Sequence, residues 1–156
     1  MKSNFRFCAL VLAVSLCGCA QKIMPPPPPP PDPNPQVSLE IKQVPTPGFV
    51  PTYGSNGQMY FYRFTGGTKQ HGNVEFKVGN GAANIHITLT ASSNFSIKDV
   101  LIDDDPNHQL TATVETNVKA KIHDKNTEEL VAYYAVKVAD GAVADIICDP
   151  GIINNR

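Results

Sequence analysis

From Val37 onward the chain alternates apolar and polar residues with a period of two, and no stretch holds a helical period for more than about a turn. Val37, Leu39 and Ile41 alternate with Ser38, Glu40 and Lys42, the signature of a half-buried strand. A loop rich in proline and glycine follows, from Pro45 to Gly57. Gln58 to Phe64 is dense in Tyr and Phe and suits a central strand. Val74, Phe76 and Val78 lead into Gly79-Asn80-Gly81, and Ile85, Ile87 and Leu89 lead out of it, which predicts a hairpin on an Asn-Gly turn. Phe95, Ile97, Val100 and Ile102 mark a further strand whose alternation slips at Lys98-Asp99, as a β-bulge would make it do. Leu110 to Val114, Val118 to Ile122, Leu130 to Val138 and Ala142 to Cys148 complete the set, with Asp140-Gly141 as a tight turn. Short strands with turn signals every eight to twelve residues predict an antiparallel, immunoglobulin-like β-sandwich of seven to nine strands over residues 36–156.

The first 35 residues follow other rules. Lys2 and Arg6 give a positive start, Phe7 to Leu16 an uncharged apolar run, and Gly18 a small residue before Cys19. This run is too short to span a bilayer and reads as a secretory signal over residues 1–18. Leu16-Cys17-Gly18-Cys19 resembles the lipobox of bacterial lipoproteins, with Gly18 in the small-residue slot. The resemblance implies cleavage before Cys19, a diacylglyceryl group on its sulfur and an acyl chain on its new amine. At ~0.8 kcal/mol per buried methylene, such an anchor is effectively permanent. Ala20 stands where an Asp would retain such a protein at the inner membrane, so the resemblance points to the outer membrane. Residues 19–35 then form a tether in which nine of the eleven positions from Pro25 to Pro35 are proline. Proline fixes φ and donates no amide hydrogen bond, so this segment is expected to be an extended rod at ~3.1 Å per residue.

Composition narrows the function. Loss of residues 1–18 removes Lys2 and Arg6 and no acid, so thirteen basic side chains become eleven against fourteen acidic ones, a net charge of −3. No basic run marks a nucleic-acid surface. Loss of Cys8 and Cys17 with the signal, and of Cys19 to lipid, leaves Cys148 as the single thiol, so the mature chain closes no internal disulfide. Cys148, after Ile146 and Ile147, reads as a small buried hydrophobe or as a thiol for an intermolecular bond or a metal.

No nucleophile elbow, phosphate loop or zinc-helix motif occurs, and His71, His86, His108 and His123 are dispersed without ligand spacing. The expectation is a protein that is not an enzyme. Asp103, Asp104 and Asp105 form a loop whose oxygens suit a weak Ca²⁺ site, although Asp, Pro and Asn together also make a good turn. Tyr53, Tyr60, Tyr62, Tyr133 and Tyr134 divide between core packing and an exposed stripe for a glycan or protein. The final segment, Cys148-Asp149-Pro150-Gly151-Ile152-Ile153-Asn154, resembles the Asp-Pro ending of the DP-EP family of small bacterial β-sandwich proteins. The chain holds no Glu-Pro pair, and the resemblance implies a sandwich fold with no activity to carry over. The expected function is a membrane-anchored envelope lipoprotein whose β-sandwich binds or braces an envelope protein or glycan. The alternative is an accessory lipoprotein subunit of an envelope or secretion apparatus. Neither requires a cofactor beyond the lipid on Cys19.

Overall fold

The alternation read from the sequence becomes ten strands, and no helix, in the computed structural model, which describes residues 34–91 and 94–156. The signal segment, the lipidation motif with Cys19, and the proline tether as far as residue 33 lie outside the described residues. In chain order the strands are β1 (Gln36–Lys42), β2 (Val50–Tyr53), β3 (Met59–Gly66), β4 (Val74–Phe76) and β5 (Ala83–Thr90). They continue with β6 (Phe95–Asp103), β7 (Leu110–Thr116), β8 (Lys119–Asp124), β9 (Leu130–Asp140) and β10 (Ala144–Asn155). Two sheets form, one in the order β2-β3-β1-β5-β8-β7 and one in the order β4-β10-β9-β6. The fold is an all-β sandwich.

Its core is the sum of the period-two pattern. Val37, Leu39 and Ile41 of β1, Ile85, Ile87 and Leu89 of β5, and Ala120 and Ile122 of β8 point inward from the larger sheet. They share one cluster with Val100, Val136, Val138, Ile146 and Ile153 of the smaller sheet. Burying an aliphatic side chain of this size is worth about 1.5–3 kcal/mol, so this cluster carries the stability in a domain without a disulfide. Tyr134 enters the same core, and its hydroxyl donates to the Gly72 carbonyl at 2.6 Å. Burial of this phenol pushes its pKa well above the usual tyrosine range.

Three expectations are corrected by the pairing. The sheets are mixed rather than purely antiparallel, because β1 runs parallel to β5 and β4 parallel to β10. The predicted hairpin at Gly79-Asn80-Gly81 does not form: β4 belongs to the smaller sheet and β5 to the larger, so this turn crosses between sheets. A two-residue Asn-Gly hairpin would need positive φ at both central residues. Here Gly79 and Gly81 take φ of 80° and 91° while the Asn80 amide donates to the Lys77 carbonyl. Finally, β2 lies within the segment read as loop. It is an edge strand paired only with β3, the position where Pro51, lacking an amide hydrogen, is tolerated.

The bulge expected at Lys98-Asp99 is present, with the β6–β9 register shifting between Ile97 and Asp99. A second bulge between Cys148 and Gly151 lets β10 continue past Pro150. The β2 end closes one side of the sandwich onto β10, where Thr52 Oγ1 donates to the Ile147 carbonyl at 3.1 Å and the Ser55 amide to the Asp145 carbonyl at 2.8 Å.

Candidate interaction surface

The outer faces of the two sheets differ in chemistry. On the larger sheet the outward positions from β1 across to β8 are Ser38, Glu40 and Lys42 of β1, Arg63 and Thr65 of β3, Asn84, His86 and Thr88 of β5, and Lys119, Lys121 and His123 of β8, while at its β2 edge Tyr53 stands opposite Met59 and both are exposed. Glu40 there bonds Arg63 at 2.8 Å and Lys42 at 3.3 Å, and Lys121 meets Glu115 at 3.5 Å. The hydrogen bond from Arg63 holds the Glu40 carboxyl below its ordinary range. Phe49 lies between the same two cations, each 4.6 Å from its ring centre. The central part of this face is solvated and internally paired, and its β2 edge is apolar.

The smaller sheet turns apolar side chains outward along its two central strands. Tyr133 of β9 stands directly opposite Ile152 of β10, and they are 44% and 38% exposed. Val131, one outward step along β9, is 52% exposed, while Leu101 of β6 stands opposite Ala135 and remains exposed as well. Ile147 lies beyond the second bulge on β10, opposite Lys137. Cross-strand neighbours on one sheet face lie within ~5.5 Å of each other, so Tyr133 and Ile152 form one contact surface. The alternation of β9 decides the tyrosines: Tyr134 is buried and its neighbour Tyr133 must therefore face out.

The three loop aspartates follow β6. Asp105 commits both carboxylate oxygens to backbone amides, Oδ1 accepting from Gln109 and Oδ2 from Leu110, each at 2.9 Å. Asp103 Oδ1 accepts the Asp104 amide at 3.0 Å, and Asp104 adopts φ of 58°, a conformation that Asp tolerates better than most residues. These are the bonds of a turn, with Asp105 tying the loop to the start of β7. Among the described residues no three His, Cys, Asp or Glu side chains gather as a metal site of those groups would require.

Cys148, the other sequence candidate, is completely buried in the shared core and pushed up to about 12 by that burial. The structure therefore supports the packing role over the intermolecular one, because a buried thiol offers no sulfur surface to a partner. The expected result is that a maleimide or disulfide reagent leaves Cys148 unmodified in the native protein and labels it fully after denaturation. Rapid native labelling would return the intermolecular role.

Buried polar residues escaped the sequence reading. Gln109 is 2% exposed and staples the loop before β9: its Oε1 accepts from the Thr127 and Glu128 amides at 2.9 and 3.0 Å, and its Nε2 donates to the Glu128 carbonyl. Asp124, Asn126 and Asn155 are likewise buried and lie together at the same end of the sandwich. Nothing in a single Asn or Asp within a turn-like segment distinguishes it from an ordinary turn former.

What fold and surface define is an all-β sandwich protein whose smaller sheet carries exposed apolar side chains on its central strands and whose larger sheet carries charges there. No protein-family model matches the chain, and no curated protein matches it.

Proposed function

We propose that this protein is a lipid-anchored envelope protein whose β-sandwich binds another envelope protein through the outer face of β9 and β10, without catalysing a reaction. The observation that carries the reading is the contrast between the two outer faces. Exposed Val131, Tyr133 and Ile152 lie on the two central strands of the smaller sheet, whereas the central strands of the larger sheet carry charges and hydroxyls outward and its exposed Tyr53 and Met59 lie at the β2 edge. An apolar core rimmed by Asp99, Asp103, Asp145 and Lys137 is the anatomy of a protein interface. Aliphatic side chains around one tyrosine favour a protein partner, since a sugar platform relies on aromatic rings and convergent polar groups. The lipobox resemblance of Leu16 to Cys19 supplies the anchor, and the proline tether the reach from the membrane.

Site-specific photo-crosslinking in cells tests the surface. A crosslinker at Tyr133 is expected to give a discrete adduct with an envelope protein, and one at Thr113, exposed on the charged sheet, to give none. Tyr133→Asp with Ile152→Asp should abolish the partner's co-purification with an unchanged melt. Equal adducts from both sheets would defeat the proposal, whereas a ladder of adducts from one complex would identify the domain as a subunit of a larger apparatus.

A further inference from the structure

The end of the sandwich where β8, β10 and the turn between β4 and β5 meet holds a buried group of side chains with more acceptors than donors. Asp124 closes β8, Asn126 follows it with φ of 52°, and Asn155 closes β10; they are 0%, 2% and 2% exposed. Asp124 Oδ1 accepts from the Asn126 amide at 2.7 Å and from Asn155 Nδ2 at 3.2 Å. Asn126 Nδ2 donates to the carbonyls of Lys77 and Gly81 at 2.9 and 3.1 Å. Three oxygens are left without a hydrogen-bond donor among the described residues: Asp124 Oδ2, Asn126 Oδ1 and Asn155 Oδ1.

Reversing either amide does not remedy this. A reversed Asn126 would aim its oxygen at two carbonyls, and a reversed Asn155 would aim its oxygen at the Asp124 carboxylate. An unpaired buried acceptor costs about 1–3 kcal/mol, more when it is charged, and these three sit in one hydrogen-bonded group around Asp124 Oδ1. One water brings two hydrogens for three acceptors. A cation beside Asp124 Oδ2 would balance the buried carboxylate and could take the neighbouring carboxamide oxygens as further ligands.

We propose that Asp124, Asn126 and Asn155 are ligands of a hard divalent cation of the calcium class, held between the two sheets. The donor set is oxygen only, one carboxylate and two carboxamides, which suits Ca²⁺ and not the nitrogen and sulfur preferences of zinc or copper. With a single carboxylate the site belongs with the weak calcium sites of extracellular modules, with Kd of about 10⁻⁴ to 10⁻³ M. Burial pushes the Asp124 carboxyl above its ordinary range, and the nearby negative charge of Asp105 adds to the effect. The loop that the sequence singled out thus lies beside the site as an electrostatic neighbour while its own oxygens are spent on the turn. Because β8 and β10 belong to opposite sheets, the cation joins them.

The test uses the full-length protein purified in detergent, stripped with a chelator and melted with and without 10 mM CaCl₂. At a Kd of about 10⁻⁴ M this is 100-fold over Kd, and the melting temperature should rise by about 10 °C. Asp124→Asn should abolish the response, and its chelated form should melt at or above the chelated wild type, because an amide there adds a donor among the orphaned oxygens. Asn155→Asp should lower the chelated melting temperature and bind Ca²⁺ several-fold more tightly, while Asp104→Asn should respond like the wild type. A wild-type melt that Ca²⁺ leaves in place would overturn the proposal. In that event a melting temperature that climbs as pH falls toward the carboxylate range, and does so less in Asp124→Asn, would assign a proton and a water to the site.

Discussion

Gly66→Ala is expected to cost about 3 kcal/mol of folding stability, among the largest effects of any one-methyl change in this domain. Gly66 ends β3 at φ of 80°, a conformation that costs a residue with a Cβ about 1–2 kcal/mol. A Cβ at this position would also collide with the carbonyl oxygen of Gln36 on the neighbouring strand. That oxygen accepts the Gly67 amide at 2.9 Å, and Gly66 is paired with Val37 in the β1–β3 register, so the clash cannot be relieved by rotating a side chain. Overpacking adds about 1–3 kcal/mol. Gly48→Ala is the control: Gly48 has nearly the same φ, 78°, with nothing within 4 Å of the added carbon, and should lose only the conformational part. Urea titration of both variants measures the difference. Equal losses would show that the approach of β3 to Gln36 is looser than described.

Cys19→Ser is expected to move the protein completely out of the membrane fraction as a mature species, leaving uncleaved or mislocalised precursor. On the lipoprotein proposal, the thioether that would carry the diacylglyceryl group requires the sulfur, and the lipobox resemblance of Leu16 to Cys19 implies cleavage at the same residue. Each acyl chain contributes more than ten methylenes at ~0.8 kcal/mol apiece, so two or three chains allow no appreciable soluble fraction and none leaves little membrane affinity. Fractionation with mass spectrometry of the N-terminal peptide reads the outcome. An unmodified N-terminus at a residue other than Cys19 would refute the lipoprotein reading and leave the description of the sandwich untouched.

The sequence disclosed most of the sandwich where burial is one-sided. In β1, β5 and β8 each apolar residue sits two positions from the next, and a single-residue slip would expose Leu39, Ile87 and Ile122 together, so face and register are fixed locally. The slip at Lys98-Asp99 was legible for the same reason. What stayed hidden depends on partners far along the chain. Gly79-Asn80-Gly81 carries the local chemistry of a hairpin, yet Val74 and Phe76 pair with the β10 end and Ile85 and Ile87 with β1 and β8. Tertiary pairing outweighed the turn preference. Pro51 concealed β2, because proline argues against a strand unless its sheet position, here an edge, is known. The surface was half legible: the Tyr133-Tyr134 pair had to split between faces, but Ile152 could join Tyr133 only through the second bulge, which returns the outward alternation of β10 to register after Pro150. The buried Asp124, Asn126 and Asn155 meet by topology alone, separated by up to 31 positions along the chain.

The place of β10 in its sheet also sets the order of events during synthesis. This strand comes after the other nine, yet it lies inside the smaller sheet, between β4 and β9, and the β2 end docks on its first half. Until it emerges, β4 has no strand to pair with, and β9 lacks its neighbour along Val136 and Val138. Contacts so distant along the chain place folding on the slow side, in milliseconds to seconds. The smaller sheet, and with it the closed sandwich, is therefore incomplete until nearly all of the polypeptide has been made. On the proposal that residues 1–18 are a secretory signal, that delay would be useful, because the chain would remain threadable across a membrane and the sandwich would close on the far side.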